Sequence, residues 1–430
     1  MSARRVARLM TGLLLAGLIA HPARALDSIR LPVPLLQDSF TPLGAELPDP
    51  RIVAARGVAR AERNLTSISR WLHRSIRALT ESIGTLDPTQ MLVAIQRLQR
   101  QQTDANALLA DVSAAKNNRF NAPGRHTTKR RTLTLPISHR SVPLAVVVIE
   151  PVSGGNQRLV IISHGLWDNP QNFEGWARHL ASHGYTVLLP QHPGSDTAHQ
   201  QAMLLGQAPP PSPQELMLRP RDITALITAA AEDRLGLRTK VDTTRVLAVG
   251  HSWGALTVLQ LAGARPSSHR LHRDCNDLKH PSHNLSWVLQ CNFLMAADRA
   301  SSADHRVRSV VAVSPPMRLL FSQGSARAMN ASVLLVSGTR DWVVPVGPEA
   351  IYPMLRLAKT RGLGPHRLVL ADGGDHFNLR APATANDSPL NGLILAWFAS
   401  GGRLPADGWA HKSLALFDVT TRISKSIVRR

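Results

Sequence analysis

The sequence predicts an α/β fold, a mostly parallel, doubly wound sheet with helices on both faces. Three observations lead there. From about residue 130 to 400, short β-rich runs alternate with segments of helical period, and such alternation packs as parallel strands joined by crossover helices. Leu159 to Ser163 is apolar without a break, as a strand buried on both faces must be. The run Val246 to Val249 ends in Gly250-His251-Ser252-Trp253-Gly254 and passes at once into an apolar, Ala-rich stretch. That reads as a strand entering a helix through a very tight turn, with an exposed serine hydroxyl at its apex and glycines where neighbouring backbone comes close.

The chain begins differently. Arg4, Arg5 and Arg8 precede an apolar run from Leu9 to Ala20, and Ala23-Arg24-Ala25 follows. Residues 1–25 therefore predict a secretory signal peptide, too short to span a membrane. The expected destination is periplasmic or secreted. Residues 26–50 predict an extended arm. Leu65, Ile68, Leu72, Ile76, Leu79 and Ile83 then recur at spacings of three and four, giving one apolar stripe on a helix that Gly84 ends. Asp87-Pro88 starts a second helix, with Leu92, Ile95, Leu98, Ala105, Leu108 and Val112 as its stripe. The expectation is a helical hairpin over residues 55–116, within an N-terminal region of residues 26–120. Its stripe suits packing against protein better than binding lipid.

Within the α/β domain, residues 130–400, Arg131 to Ile137 and Leu144 to Pro151 predict an opening antiparallel pair. Asn172 to Gly184 reads as a helix with Phe173, Trp176, Ala177 and Leu180 on one side, and Tyr185 to Leu189 as the next strand. Pro209 to Pro213 marks a surface loop, and Asp222 to Asp233 a helix. Residues 265–305 interrupt the rhythm and predict an insertion, with Leu285 to Leu294 as a helix within it. Val307 to Val313, Val333 to Val336 and Leu368 to Leu370 resume the strands; Ile351 to Lys359 and Leu390 to Ala399 supply helices. The basic tail, residues 401–430, shows no clear pattern and its end is expected to be mobile.

The insertion holds both cysteines, Cys275 and Cys291. In an oxidising compartment they can pair, which would add roughly 3 kcal/mol in the chain-entropy model; the other reading is two buried thiols. His269, His272, His280 and His283 lie near, without the close spacing of a zinc site, so no metal is expected. Of the formal charge of +21, the signal segment accounts for four arginines and no acids, leaving +17. That balance favours anionic membrane surfaces or acidic substrates, or simply a solvated surface. Nucleic acid is not an expected partner, because the charge is spread and no basic-aromatic motif accompanies it.

A serine hydroxyl attacks only when a base takes its proton, and that base is usually a histidine held by a carboxylate. In a parallel sheet both belong beyond the carboxyl ends of strands. Asp341 follows the strand Val333 to Val336, and His376 follows Leu368 to Leu370. The order Ser252, Asp341, His376 is the order of an α/β-hydrolase. Asp372 and Asp375 are rivals to Asp341 but share the histidine's own loop, and His251 is expected to support the turn rather than act as base. The oxyanion donors are expected to be the backbone N–H groups of Trp253 and of Leu166, the latter after Ile161-Ile162-Ser163-His164-Gly165.

Ile162-Ser163-His164-Gly165-Leu166, Leu180-Ala181-Ser182-His183-Gly184-Tyr185, Arg219-Pro220-Arg221-Asp222-Ile223 and Gly250-His251-Ser252-Trp253-Gly254 resemble platelet-activating-factor acetylhydrolases and dienelactone-hydrolase-like enzymes, and are similar to bacterial polyester-cleaving cutinases. The resemblance covers residues 140 to 400. It implies an α/β-hydrolase fold that cleaves carboxylic esters, lipid or short-acyl, through an acyl-enzyme with no cofactor. Ser252 stands where true dienelactone hydrolases use cysteine. The N-terminal helices and the insertion are similar to those of secreted cyanobacterial hydrolases. A peptidase on the same fold and a non-catalytic binding module are the alternatives.

Overall fold

The computed structural model describes residues 103–428, apart from residues 111, 277–283, 323 and 385–386. The chain divides into two units, residues 1–93 and 94–430, and the described residues lie in the second. The predicted signal peptide, the arm and the helical hairpin up to residue 102 lie outside the described residues. Residues 103–109 are helical. Ala105 is fully buried, and Leu108 and Val112, also of the second predicted stripe, pack against the same core. The described helix stops short of residue 116. Residues 112–118 are irregular, tied down where the Ala115 N–H donates to the Leu416 carbonyl and the Asp407 carboxylate accepts the N–H groups of Lys116 and Asn117.

The strands are β1 (Thr128–Leu135), β2 (Leu144–Pro151), β3 (Arg158–Ser163), β4 (Thr186–Pro190), β5 (Asp242–His251), β6 (Val307–Val313), β7 (Ser332–Gly338), β8 (Arg367–Asp372) and β9 (Ala415–Asp418). They form one sheet in the order β1-β2-β4-β3-β5-β6-β7-β8-β9. The neighbours from β4 through β3 to β8 run parallel, while β1–β2, β2–β4 and β8–β9 are antiparallel. The helices are α1 (Glu174–Ser182), α2 (Thr197–Leu204), α3 (Glu215–Ala231), α4 (Trp253–Leu261), α5 (His269–Asp274), α6 (Leu285–Cys291), α7 (Tyr352–Arg361), α8 (Asn391–Ala399) and α9 (Thr420–Val428).

Alternate residues of each central strand feed opposite layers, as the two-residue period requires. Leu159 and Ile161 of β3 join the core of α3 and α4, with Ile223, Leu226 and Val258. Val160 and Ile162 join the core of α1 and α8, with Trp176, Leu180, Ile394 and Trp397. Both faces are covered, which is why these strands lack polar alternation. Gly184, at φ +93°, closes α1 in a conformation that a side chain would strain.

Helix α3 starts at Glu215 and runs through Pro220, earlier than the predicted start at Asp222. Its first turns carry the buried, hydrogen-bonded side chains of Glu215, Arg219 and Asp222. The tail, without pattern in sequence, supplies the edge strand β9, paired as Leu370↔Phe417, and the helix α9.

The predicted insertion contains α5 and α6, and Cys275 and Cys291 at their ends are disulfide-bonded, with Cα atoms 5.6 Å apart. Helix α6 ends sooner than the predicted Leu294. Two side chains fasten it to the carboxyl side of the sheet. The Gln290 carbonyl accepts the Leu319 N–H at 2.6 Å, and the buried Glu349 accepts the N–H groups of Met317 and Arg318 at 2.7 Å each and the Gln290 amide at 3.2 Å. Phe293 then lies against Trp253, ring centroids 4.5 Å apart.

Candidate active site

Strand β5 delivers Ser252 at φ +54° and ψ −119°, a backbone conformation costing a non-glycine residue roughly 1–3 kcal/mol. It persists because the surroundings leave no alternative. The Ser252 N–H donates to Val313 O at the end of β6, 2.9 Å away. A Cβ at Gly250 would stand 2.0 Å from the Gly254 carbonyl oxygen, and one at Gly254 2.0 Å from that of Ser163. The two glycines of the motif are thus required by close backbone contacts on both sides of the serine.

Asp341 and His376 come from adjacent strand ends. The loops after β7 and β8 touch so closely that a Cβ at Gly338 would lie 2.2 Å from the Gly374 oxygen. The Arg340 N–H donates to that same oxygen, and the Thr339 N–H to Ala371 O. Asp341 Oδ1 accepts the Val344 N–H at 2.7 Å, and Oδ2 faces His376 Nδ1 at 2.9 Å. The carboxylate therefore fixes the ring with its proton on Nδ1. The rival acids are engaged within the loops: Asp375 accepts the N–H groups of Phe377 and Asn378, and Asp372 the Thr339 hydroxyl. No hydrogen bond joins the Ser252 hydroxyl to the His376 ring among the described residues.

His251 Nε2 donates to the carbonyl of His376 at 2.9 Å. Burial, followed by the nearness of His376 and Arg380, holds the His251 pKa well below the ordinary imidazole value. It is neutral, with Nε2 carrying the proton and Nδ1 buried without a hydrogen-bond partner among the described residues. That ties two loops together and leaves no role as the serine's base.

The loop after β3 lies against the same turn, since a Cβ at Gly165 would sit 3.3 Å from Ser252 Cβ. The N–H groups of Leu166 and Trp253 donate to no described residue, whereas that of Trp167 is taken by Ser195 O at 2.7 Å. Two free donors beside a serine hydroxyl can stabilise an oxyanion.

Beneath this loop lies a polar network that joins Arg219 and Asp222, which the sequence marks only as part of a segment of family resemblance, to partners far along the chain. Arg219 donates to the carbonyls of His164 (2.9 Å) and Gly165 (3.0 Å) and to Ser195 Oγ (3.0 Å). Ser195 donates to Glu215, and Arg140 spans Glu215 and Asp222. Asp222 also accepts from His139 and His192, each at 2.8 Å, while His192 Nε2 meets the Ser163 hydroxyl at 2.9 Å. Burial alone would raise the Asp222 pKa, but hydrogen bonds from His139, His192 and Arg140 outweigh it and hold the carboxyl below its usual range. Burial, then Arg219, lowers His192 to about 4. Glu215, Arg219 and Asp222 recur at spacings of four and three on one face of α3, the one signal that could have revealed the group.

Among the described residues, no three His, Cys, Asp or Glu side chains form a group that could hold a metal ion. A mostly apolar cavity of about 90 Å³ lies between α4, β7 and α7, lined by Leu259, Met317, Leu335, Met354 and Leu357 among others, and no candidate catalytic residue borders it.

Residues 158–271, from β3 through the serine turn into the insertion, match the alpha/beta hydrolase fold family. The chlorophyllase-1 proteins of the chloroplast from Citrus unshiu and Citrus sinensis are each 25% identical to the chain over 140 residues, which is 32% of this chain. The match spans 39% of the length of each relative. The parallel sheet with its antiparallel edges, the strained serine turn after the fifth strand and the match across that region together establish that the protein has the α/β-hydrolase fold.

Proposed function

We propose that this protein is a serine hydrolase that cleaves carboxylic esters through an acyl-enzyme. The observation that carries the reading is the 2.9 Å pair of His376 Nδ1 and Asp341 Oδ2, on adjacent strand ends and tied to the strained Ser252 turn by the hydrogen bond from His251 to the His376 carbonyl. Ser252 Oγ attacks the ester carbonyl as His376 Nε2 takes its proton. The negative oxygen that develops is held by the N–H groups of Leu166 and Trp253. His376 returns the proton to the departing alcohol, and water repeats the sequence to free the acid. The likeness to the chlorophyllase-1 proteins over 32% of this chain supports the enzyme reading over a binding module.

Labelling by a fluorophosphonate, with turnover of p-nitrophenyl esters of graded chain length beside a peptide panel, tests the proposal. Labelling and ester turnover, both lost in Ser252→Ala, are expected. Cleavage of peptides alone makes the protein a peptidase; inertness throughout makes it a binding module on this fold.

The reading includes a periplasmic or secreted location, drawn from residues 1–25 and agreeing with the Cys275–Cys291 disulfide. It also includes attraction of the basic chain to anionic membrane. Flotation with anionic liposomes is the test, and absence of binding removes that part.

A further inference from the structure

We propose that Arg219 is a positioning residue for the oxyanion hole: by gripping the carbonyls of His164 and Gly165 it aims and strengthens the N–H donor of Leu166. The inference rests on the serine-hydrolase reading.

The geometry lies in one peptide unit. Gly165 C=O and Leu166 N–H belong to the same planar trans peptide, so they point in opposite directions. Arg219 Nη2 holds that oxygen at 3.0 Å from the α3 side, and Nη1 holds the preceding carbonyl, of His164, at 2.9 Å. With two successive carbonyls on one planar guanidinium, the loop cannot rotate without breaking both contacts. The Leu166 N–H therefore projects away from Arg219, and it donates to no described residue. Gly165 itself packs against the nucleophile turn, where a Cβ on it would lie 3.3 Å from Ser252 Cβ.

His164 adds to the grip. Its Nε2 accepts the His192 N–H at 3.0 Å, so the neutral ring carries its proton on Nδ1 and donates to Gly165 O at 2.8 Å. The 3.2 Å approach of Arg219 Nη2 to that Nδ1 is a contact between two donors sharing one oxygen. Two donors on the Gly165 carbonyl, one cationic, draw electron density from the amide and make its N–H a stronger donor. The cation also stands one peptide behind the site where negative charge develops, in a buried setting where such a charge is weakly screened. Arg219 is 2% exposed, and burial, partly offset by Glu215, lowers its pKa only to about 10, so it stays charged at neutral pH. Glu215 and Asp222 balance Arg219 and Arg140, which lets two cations lie beneath the loop.

Arg219→Gln and Arg219→Lys test the inference, with Arg306→Gln as a control that breaks the Asp304 ion pair. Turnover of a p-nitrophenyl ester and affinity for a trifluoromethyl ketone, which forms a tetrahedral adduct with the serine, are both measured. Arg219→Gln is expected to lower kcat ~100-fold with KM little changed, and to weaken the ketone by a similar factor, as for loss of one oxyanion donor. Arg219→Lys keeps the charge without the fork and is expected to recover part of the loss. The control should lose stability and keep kcat. Wild-type kcat in Arg219→Gln, or a loss confined to stability or KM, overturns the inference. If the glutamine variant does not fold, Arg219→Lys decides: a loss of at least ~10-fold in kcat supports the role, and an unchanged kcat overturns it. A wild-type protein inert to ester and fluorophosphonate overturns the hydrolase reading and this inference together, so the two failures are distinguishable.

Discussion

His251, the residue before the proposed nucleophile, donates from Nε2 to the backbone carbonyl of His376, the proposed base, at 2.9 Å. Their rings are 4.6 Å apart. The serine turn and the histidine loop, on strands separated in the sheet by β6 and β7, are thereby joined directly. His251→Phe keeps ring volume but leaves that carbonyl unpaired, a loss of ~1–3 kcal/mol in stability. Denaturant midpoints should fall accordingly, and ester turnover should fall with the looser His376 loop. Unaltered midpoints would contradict the assigned hydrogen bond.

Asp341→Asn removes the charge that orients His376 and leaves a side chain of the same shape. The expected loss in kcat is ~10⁴-fold with an unchanged melting curve, because the tautomer that serves the serine is no longer enforced. Asp375→Asn is expected to stay within a few-fold of wild type, since Asp375 engages only backbone N–H groups of its own loop. The reverse ranking in a steady-state assay would reassign the acid.

Gly254→Ala would drive a Cβ to 2.0 Å from the Ser163 oxygen, which no rotamer change can relieve. Destabilisation of at least ~3 kcal/mol is expected, seen as poor soluble yield or a lower denaturant midpoint. Tolerance of alanine there would mean that the helix α4 sits further from β3 than described.

Reduction of Cys275–Cys291 opens the crosslink between the ends of α5 and α6. Stability is expected to drop by ~3 kcal/mol, measured by chemical unfolding with and without reductant. The Cys275→Ala, Cys291→Ala double variant should match the reduced protein, and neither should show a second step with reductant.

Acid should destabilise the fold before the carboxylates titrate. Burial lowers His179 and His192 from 6.5 to about 4 in the folded chain. Between these values the unfolded chain binds protons that the folded chain does not, so the contribution is complete above about 6.5 and is lost as pH falls towards 4. Each group contributes a slope of up to ~1.4 kcal/mol per pH unit. Melting temperature against pH should decline through this window, and replacing His192 with Gln should flatten the decline.

The catalytic candidates were legible because each lies where a short apolar strand ends. Ser252 is announced by glycines that the fold cannot replace, and Asp341 and His376 by their position after consecutive strands. The network around Arg219 was not legible in this way. His164 lies 55 residues from Arg219, and Asp222 lies 83 residues from His139. Nothing in residue type tells which distant charges will share one buried space. Strand β9 escaped notice for another reason: four residues are too few to show a period, and their pairing is conferred by the open edge of β8.

By itself, the sequence determined the order of the strands from β1 to β8, the helices α1, α3, α4, α6, α7 and α8 among them, and the turn at Ser252, because local period, continuous apolar runs and glycine placement act within a few residues; the short α2 and α5 carry no such signal. Tertiary structure alone decided which carbonyls Arg219 holds and how Glu349 and Gln290 seat the insertion. Those choices depend on side chains from distant segments meeting where water is excluded, and there each buried charge and amide must find its partner.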